Sequence, residues 1–186
     1  MKNKITLIII FACLFSLQLN AQISRTVYGL ELGSDLQTTK TILNNKGLDY
    51  VVQDGSLGLT IIVKEPFFAG IQWDGLFVSF EQNKAYHISF HKQCTEVLDK
   101  MNLILEMTKL LVDLNEKYSQ YQDSTLNKAN NSNTNDGKIQ FYLKDGTTDI
   151  VLDGDLKKYG TSHMILAYID DQLFNLRNAR SASDDL

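Results

Sequence analysis

The period of the hydrophobic pattern changes twice along this 186-residue chain, and this constrains its fold more than any other feature. Residues 34–47 follow the 3.6-residue period of a helix, residues 49–91 alternate with the period of two that strands require, and the same succession begins again near residue 95. Because the helices do not alternate with single strands, a doubly wound parallel sheet is disfavoured. The pattern predicts an α+β protein with helices packed on one face of an antiparallel sheet.

The first helical segment carries signals at both of its ends. Ser34 and Gln37 form a predicted capping box, in which each side chain bonds the backbone N–H of the other residue. Gly47 follows Lys46 and suits the left-handed conformation that often ends a helix. The pattern therefore predicts a helix that begins at Ser34 and ends before Gly47.

The alternating segments predict an antiparallel sheet that is covered on one side. A hairpin is predicted between Leu76–Glu81 and Ala85–His91, around the turn Gln82-Asn83-Lys84. On its covered face we expect Leu76, Val78 and Phe80 opposite Tyr86, Ile88 and Phe90, with His87 and Ser89 pointing away. Further strands are predicted near 49–53, 57–63, 70–74, 138–143, 147–152 and 163–169.

A second, longer helix is predicted from Thr95 to Tyr121. Polar residues at steps of three and four mark one solvated stripe: Asp99, Asn102, Glu106, Lys109, Asp113 and Glu116. The other faces are apolar, and at 1.5 Å per residue the helix is about 40 Å long. We therefore expect it to be the central helix of the core.

The first 21 residues have the pattern of a secretory signal peptide. Lys2 and Lys4 precede an apolar run, Ile5–Leu19, and the small residue Ala21 then stands before Gln22. The run is shorter than the about 20 apolar residues that a membrane span needs, and no basic stop-transfer cluster follows it. We expect cleavage between Ala21 and Gln22, and an exported protein of the periplasm or the extracellular space.

Cleavage would leave 165 residues with a single cysteine, Cys94, so no intrachain disulfide can form. A chain of this length buries enough surface to fold without a disulfide or a metal. The formal charge of −4 becomes −6 once Lys2 and Lys4 are removed, and no basic block remains. Nucleic acid and anionic lipid are therefore disfavoured as partners.

The succession of helix and strands suggests two units within one compact domain. The first comprises residues 22–93 and the second residues 94–186, each a helix followed by antiparallel strands. Residues 127–137 contain five asparagines and almost no apolar side chain, which predicts a flexible loop.

Several segments together resemble a group of small exported bacterial proteins. They are Tyr28-Gly29-Leu30-Glu31-Leu32-Gly33-Ser34, the helix end at Lys46-Gly47, the closing run 165–170, and Asp184-Asp185-Leu186. Those proteins, of unknown function, share the β-lactamase-inhibitor-protein-like (BLIP-like) architecture, a tandem of helix-plus-sheet units also found in small outer-membrane-assembly lipoproteins. The resemblance implies a binding or inhibitory scaffold and no catalytic residues. It transfers fold better than function.

Two residue types invite a catalytic or metal-binding interpretation. The spacing of His87 and His91 suits one metal ion on a helix, but on a strand it separates the two residues by about 13 Å. Cys94 near a helix start suggests a nucleophile, although a free thiol more often behaves as a small hydrophobic group. We expect neither a metal site nor a catalytic cysteine.

Acidic residues near the asparagine-rich loop suggest calcium, but the EF-hand spacing fails. With Asp136 and Gly137 at loop positions five and six, position twelve is Leu143, which has no carboxylate. Turn formation explains Asp145, Asp153 and their neighbours better. The chain also contains no glycine-rich phosphate loop and no Gly-x-Ser-x-Gly elbow. We expect no cofactor and no enzymatic activity.

Three aromatic residues, Phe67, Phe68 and Trp73, follow closely after Pro66, the only proline of the chain. Exposed aromatic side chains on a loop are good anchors in a protein interface. The alternation of Ile71 and Trp73 also fits a buried strand, so their role depends on exposure. We name these three aromatic residues as the candidate partner-binding residues.

The sequence thus favours an exported, non-enzymatic binding protein whose partner is another protein or a component of the cell envelope. Two alternatives remain open. One is an accessory protein of envelope assembly, and the other is a periplasmic hydrolase whose site would be assembled from scattered residues such as His91 and Cys94.

Overall fold

The computed structural model describes residues 22–55, 58–122, 137–157 and 160–184. The expected signal peptide, including Ala21, lies outside the described residues. So do residues 127–136 of the asparagine-rich loop and the last two residues of the chain.

The described elements follow the predicted order of two helices and the longer strands, and a third helix that the pattern did not predict comes after the last described strand. Two short strands, β1 (Thr26–Val27) and β2 (Leu30–Glu31), precede helix α1 (Leu36–Asn45). The next strands are β3 (Tyr50–Gly55), β4 (Gly58–Lys64), β5 (Phe67–Phe68), β6 (Ile71–Gln72), β7 (Gly75–Glu81) and β8 (Lys84–Cys94). Then come α2 (Val97–Tyr118), a short 3-10 turn (Ser119–Tyr121), β9 (Lys138–Lys144), β10 (Thr148–Asp155), β11 (Ser162–Asp170) and α3 (Asp171–Asp184).

Seven strands form one antiparallel sheet in the order β3-β4-β7-β8-β11-β10-β9. The two longest, β8 and β11, pair with each other near the centre of the sheet. After α1 the chain enters the sheet at the edge strand β3, and after α2 it enters at the opposite edge strand β9. The predicted α+β class with a mostly antiparallel sheet is therefore confirmed.

One side of the sheet carries the hydrophobic core. A row of side chains in register across all seven strands shows this: Val52, Ile61, Val78, Ile88, Tyr168, Ile150 and Leu143. Leu43 of α1 and Leu103, Met107, Leu110, Leu114 and Tyr118 of α2 belong to the same cluster. Gly154 of β10 lets α2 approach closely, because a Cβ there would lie 2.4 Å from Met107 Cε.

Helix α1 begins one residue later than the capping-box pattern predicts. Asp35 is the N-cap, and its carboxylate accepts a hydrogen bond from the Thr38 backbone N–H at 2.7 Å. The Ser34 hydroxyl lies 3.2 Å from the Thr39 hydroxyl instead. Aspartate and serine are similarly good N-caps, so the neighbouring carboxylate is an equally suitable choice.

The hairpin between β7 and β8 forms as predicted, but a bulge changes the position of one residue. Phe80 pairs with Ala85 and Ser79 with His87, so Tyr86 is the extra residue. Its ring lies 6.1 Å from that of His87 and also contacts Phe174 of α3. Tyr86 therefore leaves the core row in which the sequence pattern placed it.

Helix α3 packs on the side of the sheet opposite the core. Arg177 lies over the ring of Tyr86 at 5.1 Å, and Arg180 pairs with Glu81 at 2.5 Å. The prediction that the helices lie on one face is therefore correct for α1 and α2 and wrong for α3. Among the described helices, none has the length and hydropathy needed to cross a membrane.

Candidate functional site

The side of the sheet opposite α1 and α2 is contacted by α3 alone among the described helices, and we call it the open face. A row of side chains in register crosses it on all seven strands, and we call this the central row: Val51, Ile62, Phe77, Ser89, Ala167, Val151 and Tyr142. Helix α3 covers only the end of the open face near Tyr86. The central row is thus an apolar and aromatic strip across the sheet.

Phe77 and His91 form the centre of the open face. Their rings lie 4.5 Å apart, and the Ser89 hydroxyl is 2.9 Å from His91 Nε2. Phe77 also lies over Gly75, where a Cβ would come within 2.9 Å of the ring. The glycine therefore allows the Phe77 ring to lie along the sheet, and the His91 ring holds it there.

All three histidines of the chain lie on the open face. His87 and His91 are both in β8, as predicted, and His163 is in β11 with its Nε2 3.8 Å from an Asp153 carboxylate oxygen. Burial lowers the pKa of His87 to about 4, and the neighbouring His91 adds to this effect. Burial likewise lowers the pKa of His91, with a contribution from His163.

These histidines do not form a metal site. In the described parts of the chain, no three histidine, cysteine or acidic side chains are grouped so that they could hold an ion. Residues four apart on one strand lie on the same face but too far apart to share a ligand position. Burial thus favours the neutral form of His87 and of His91 on the open face.

Cys94 is the last residue of β8, and its side chain does not lie beside that of His91. Residues three apart on a strand point to opposite faces, so the imidazole and the thiol lie on different sides of the sheet. Burial raises the pKa of the Cys94 thiol, and the Asp99 carboxylate raises it further. Both effects disfavour the thiolate that a nucleophilic cysteine requires.

A cavity of about 380 Å³ adjoins Cys94 between the end of β8 and the first turns of α2. Asp99, Asn102 and Glu106 line it, but His91 does not. Lys92 Nζ is 2.7 Å from both Glu106 carboxylate oxygens. Glu106, one of the two acids that line the cavity, is thus engaged in an ion pair, and no histidine is among the lining residues.

The acidic residues that suggested calcium are engaged in turns and ion pairs where the structure describes them. The Asp145 carboxylate accepts hydrogen bonds from the backbone N–H groups of Ile23, Thr147 and Thr148. Burial opposes the charge of Asp145, but these hydrogen bonds outweigh it and lower its pKa. Asp149 pairs with Lys144 at 2.8 Å. Asp136 lies outside the described residues.

The aromatic residues around Pro66 divide into buried and exposed side chains. Trp73 is fully buried, and its Nε1 donates a hydrogen bond to the Phe68 carbonyl at 3.1 Å. Phe68 is half-buried and stacks on the core residue Phe90 at 4.5 Å. Phe67 alone of the three is well exposed, at 63%. In this conformation Trp73 cannot contact a partner, because it is part of the core.

Sequence reasoning missed the central row as a site. The alternation indicated that Ser79, His87 and Ser89 point away from the core. It predicted only a solvent-exposed side of the sheet there, with no binding site. The sequence did contain a signal. Ile62 and Phe77 are apolar, although each stands between two residues that face the core. Only the pairing of seven strands shows that these residues are neighbours.

Comparison with known proteins adds no relative to this description. No protein-family model, curated protein or solved structure matches the chain. The class of protein is therefore defined by its fold alone: an α+β protein with a seven-stranded antiparallel sheet.

Proposed function

We propose that the protein is an exported, non-enzymatic binding module that presents the open face of its sheet to a partner protein of the cell envelope. The observation that carries the proposal is the central row, which places Ile62, Phe77, Val151 and Tyr142 on a sheet face that α1 and α2 do not cover. These four side chains are half-buried and lie on either side of the buried Ser89 and Ala167. Partly accessible apolar and aromatic side chains on one surface are typical of an interaction site.

The composition of the open face favours a protein as the partner. Aromatic residues are enriched at protein interfaces, and a polar rim commonly surrounds their apolar centre. Here charged residues flank the central row, including Asp149 paired with Lys144 on one side and Asp153 on the other. Because the mature chain would carry a net charge of −6, from −4 less two lysines, a nucleic-acid partner is disfavoured.

The order of the elements supports the further interpretation that the fold is a BLIP-like tandem. After α1 come β3, β4, β7 and β8, and after α2 come β9, β10 and β11, each set running from an edge towards the centre. On this interpretation the units of residues 22–93 and 94–186 meet where β8 pairs with β11. The open face would then be continuous across both units.

Charges placed in the central row are expected to abolish partner binding. In an affinity capture from the envelope fraction of the source cells, we expect the wild type to retain a partner. An Ile62→Lys/Val151→Lys variant should bind it at least about tenfold more weakly, because two charges would be desolvated in the interface. Both substitutions lie at half-buried strand positions, and Ile62 is the direct cross-strand neighbour of Phe77.

A matched variant separates the open face from the aromatic segment around Pro66. Phe67→Ser removes the exposed aromatic side chain of that segment and leaves the sheet unchanged. The proposal expects this variant to bind like the wild type. A partner that is lost with Phe67→Ser but kept by the lysine variant, with both proteins folded by circular dichroism, would place the binding site on the loop and refute the open face.

Export is tested by the N-terminal residue of the protein recovered from cells. We expect intact-mass analysis after expression in an exporting bacterial host to give the chain that begins at Gln22. Lys2→Asp/Lys4→Asp removes the basic start and should reduce export, because a signal peptide requires a positively charged n-region. Full-length protein retained in the cytoplasm in both cases would contradict the proposed location.

A further inference from the structure

Helix α2 carries a second apolar face that no core residue covers. Its buried stripe comprises Leu103, Met107, Leu110, Leu114 and Tyr118. Six further apolar side chains of the same helix are 42% to 72% exposed: Val97, Leu98, Met101, Ile104, Leu105 and Val112. At 100° per residue the centres of the two stripes are separated by about 140° around the helix. The prediction that α2 is buried on its apolar faces is thus correct for one face and wrong for the other.

The exposed stripe has the spacing of a helix–helix seam. Val97 and Ile104 are seven residues apart, and so are Leu98, Leu105 and Val112. Leu111, which is half-buried and packs against the core, continues the first column at the edge of the stripe. Met101 and Thr108 lie between these two columns, also seven residues apart. A seven-residue repeat keeps the same side chains facing a neighbouring helix over several turns. No charged residue lies within the stripe. Most charges of α2, such as Asp99, Glu106 and Lys109, share a third face, and Lys100 lies beside the stripe on its other edge.

The stripe is also self-complementary under a two-fold axis. When two copies of α2 lie antiparallel with the axis between Ile104 and Leu105, Val97 of one copy faces Val112 of the other. Leu98 then faces Leu111, and Met101 faces Thr108. A two-fold interface requires the same surface to match itself, and this palindromic order provides that match.

We infer that the exposed face of α2 is a homodimer interface, in which the α2 helices of two copies pack antiparallel. This stripe buries on the order of 600 Å² per copy, which puts the dimer at the lower limit of specific interfaces. We therefore expect a dissociation constant in the micromolar range, about 1–50 µM. The inference does not depend on the open face, which points away from α2 and remains accessible in both copies.

Sedimentation velocity of the purified protein beginning at Gln22, the first residue of the described fold, tests the interface. Between about 2 and about 200 µM we expect the sedimentation coefficient to rise from that of a monomer to that of a dimer. Leu105→Asp places a charge at the axis and should raise the dissociation constant at least about tenfold. Asn102→Asp adds the same charge on the polar face and should leave the dimer unchanged.

A wild type that is monomeric at every concentration would overturn the inference, and so would a Leu105→Asp variant that dimerises like the wild type. Circular dichroism checks that each variant is folded. If Leu105→Asp does not fold, disulfide cross-linking replaces it as the decisive measurement.

Cross-linking also tests the antiparallel direction. In a Cys94→Ser background, the double variant Val97→Cys/Val112→Cys should form disulfide-linked dimers on mild oxidation, since the two new thiols face each other across the interface. Within one chain these positions lie about 22 Å apart, so they cannot bridge internally. Val97→Cys alone should not cross-link. Dimers of that single variant would show a parallel arrangement and overturn the proposed one.

Discussion

A Trp73→Ala variant is expected to lower the free energy of unfolding by about 4 kcal/mol. The side chain is fully buried, contacts the Phe90 ring at 5.5 Å and donates its indole N–H to the Phe68 carbonyl. Removal would therefore leave a cavity and an unpaired carbonyl. Chemical denaturation followed by far-ultraviolet circular dichroism gives the value, since the variant lacks the only tryptophan and loses its fluorescence.

Phe67→Ala is the matched control, because it removes an aromatic ring from the same segment at an exposed position. We expect it to change the free energy of unfolding by less than about 0.5 kcal/mol. Equal and small effects of the two substitutions would contradict the division of this segment into a buried and an exposed part.

Acidification is expected to destabilise the protein through His87. The pKa of this side chain in the folded state, about 4, is below its ordinary value of 6.5. Between these two values the unfolded chain binds a proton that the folded chain does not, so stability falls as the pH falls from 6.5 towards 4. A pKa shift of this size corresponds to a loss of about 3 kcal/mol in the free energy of unfolding. Above pH 6.5 His87 is neutral in both states, and stability does not change on its account.

His87→Gln isolates this effect from the packing of the side chain. The free energy of unfolding is measured for both proteins at about pH 8 and about pH 4.5. At the higher pH, any difference in the free energy of unfolding between the wild type and His87→Gln comes from side-chain packing alone. The wild type should lose at least about 2 kcal/mol more than the variant on acidification, and equal losses would show that His87 is not responsible.

The strands were predictable because their signals are local. The turn at Gln82 and Asn83 is an example, since both residues have positive φ angles, 49° and 63°, as a two-residue hairpin turn requires. An asparagine between two alternating segments was sufficient to place it. The bulge at Tyr86 was not predictable. Tyr86 is apolar and alternates correctly with Ile88 and Phe90, so nothing in the sequence marks it as the extra residue of a bulge.

The helices show what the sequence leaves undetermined. Two apolar stripes on α2 are equally visible in the sequence, and only the position of the sheet decides which is buried. Helix α3 was missed because its apolar residues are few, although Asp170 provides a signal. Its carboxylate accepts a hydrogen bond from the Leu173 backbone N–H at 2.9 Å, as an N-cap does.

The candidate site was less predictable than the fold. The open face is created by register across strands that are up to about a hundred residues apart in sequence, such as Ile62 and Val151. No short motif encodes such a surface. The three aromatic residues around Pro66 were conspicuous because they are close in sequence, yet Trp73 contributes to the core.

The central pairing of β8 with β11 has a consequence for the order in which the protein is made. Strand β11 is the last of the described strands to be synthesised, and it inserts between β8 and β10. Until then, a nascent chain has two unpaired strand edges beside its most apolar segments, including Phe90 and Leu152. Such edges are prone to associate with other chains. A chain that is translocated unfolded and released whole avoids this exposure, because folding begins when the final strand is present.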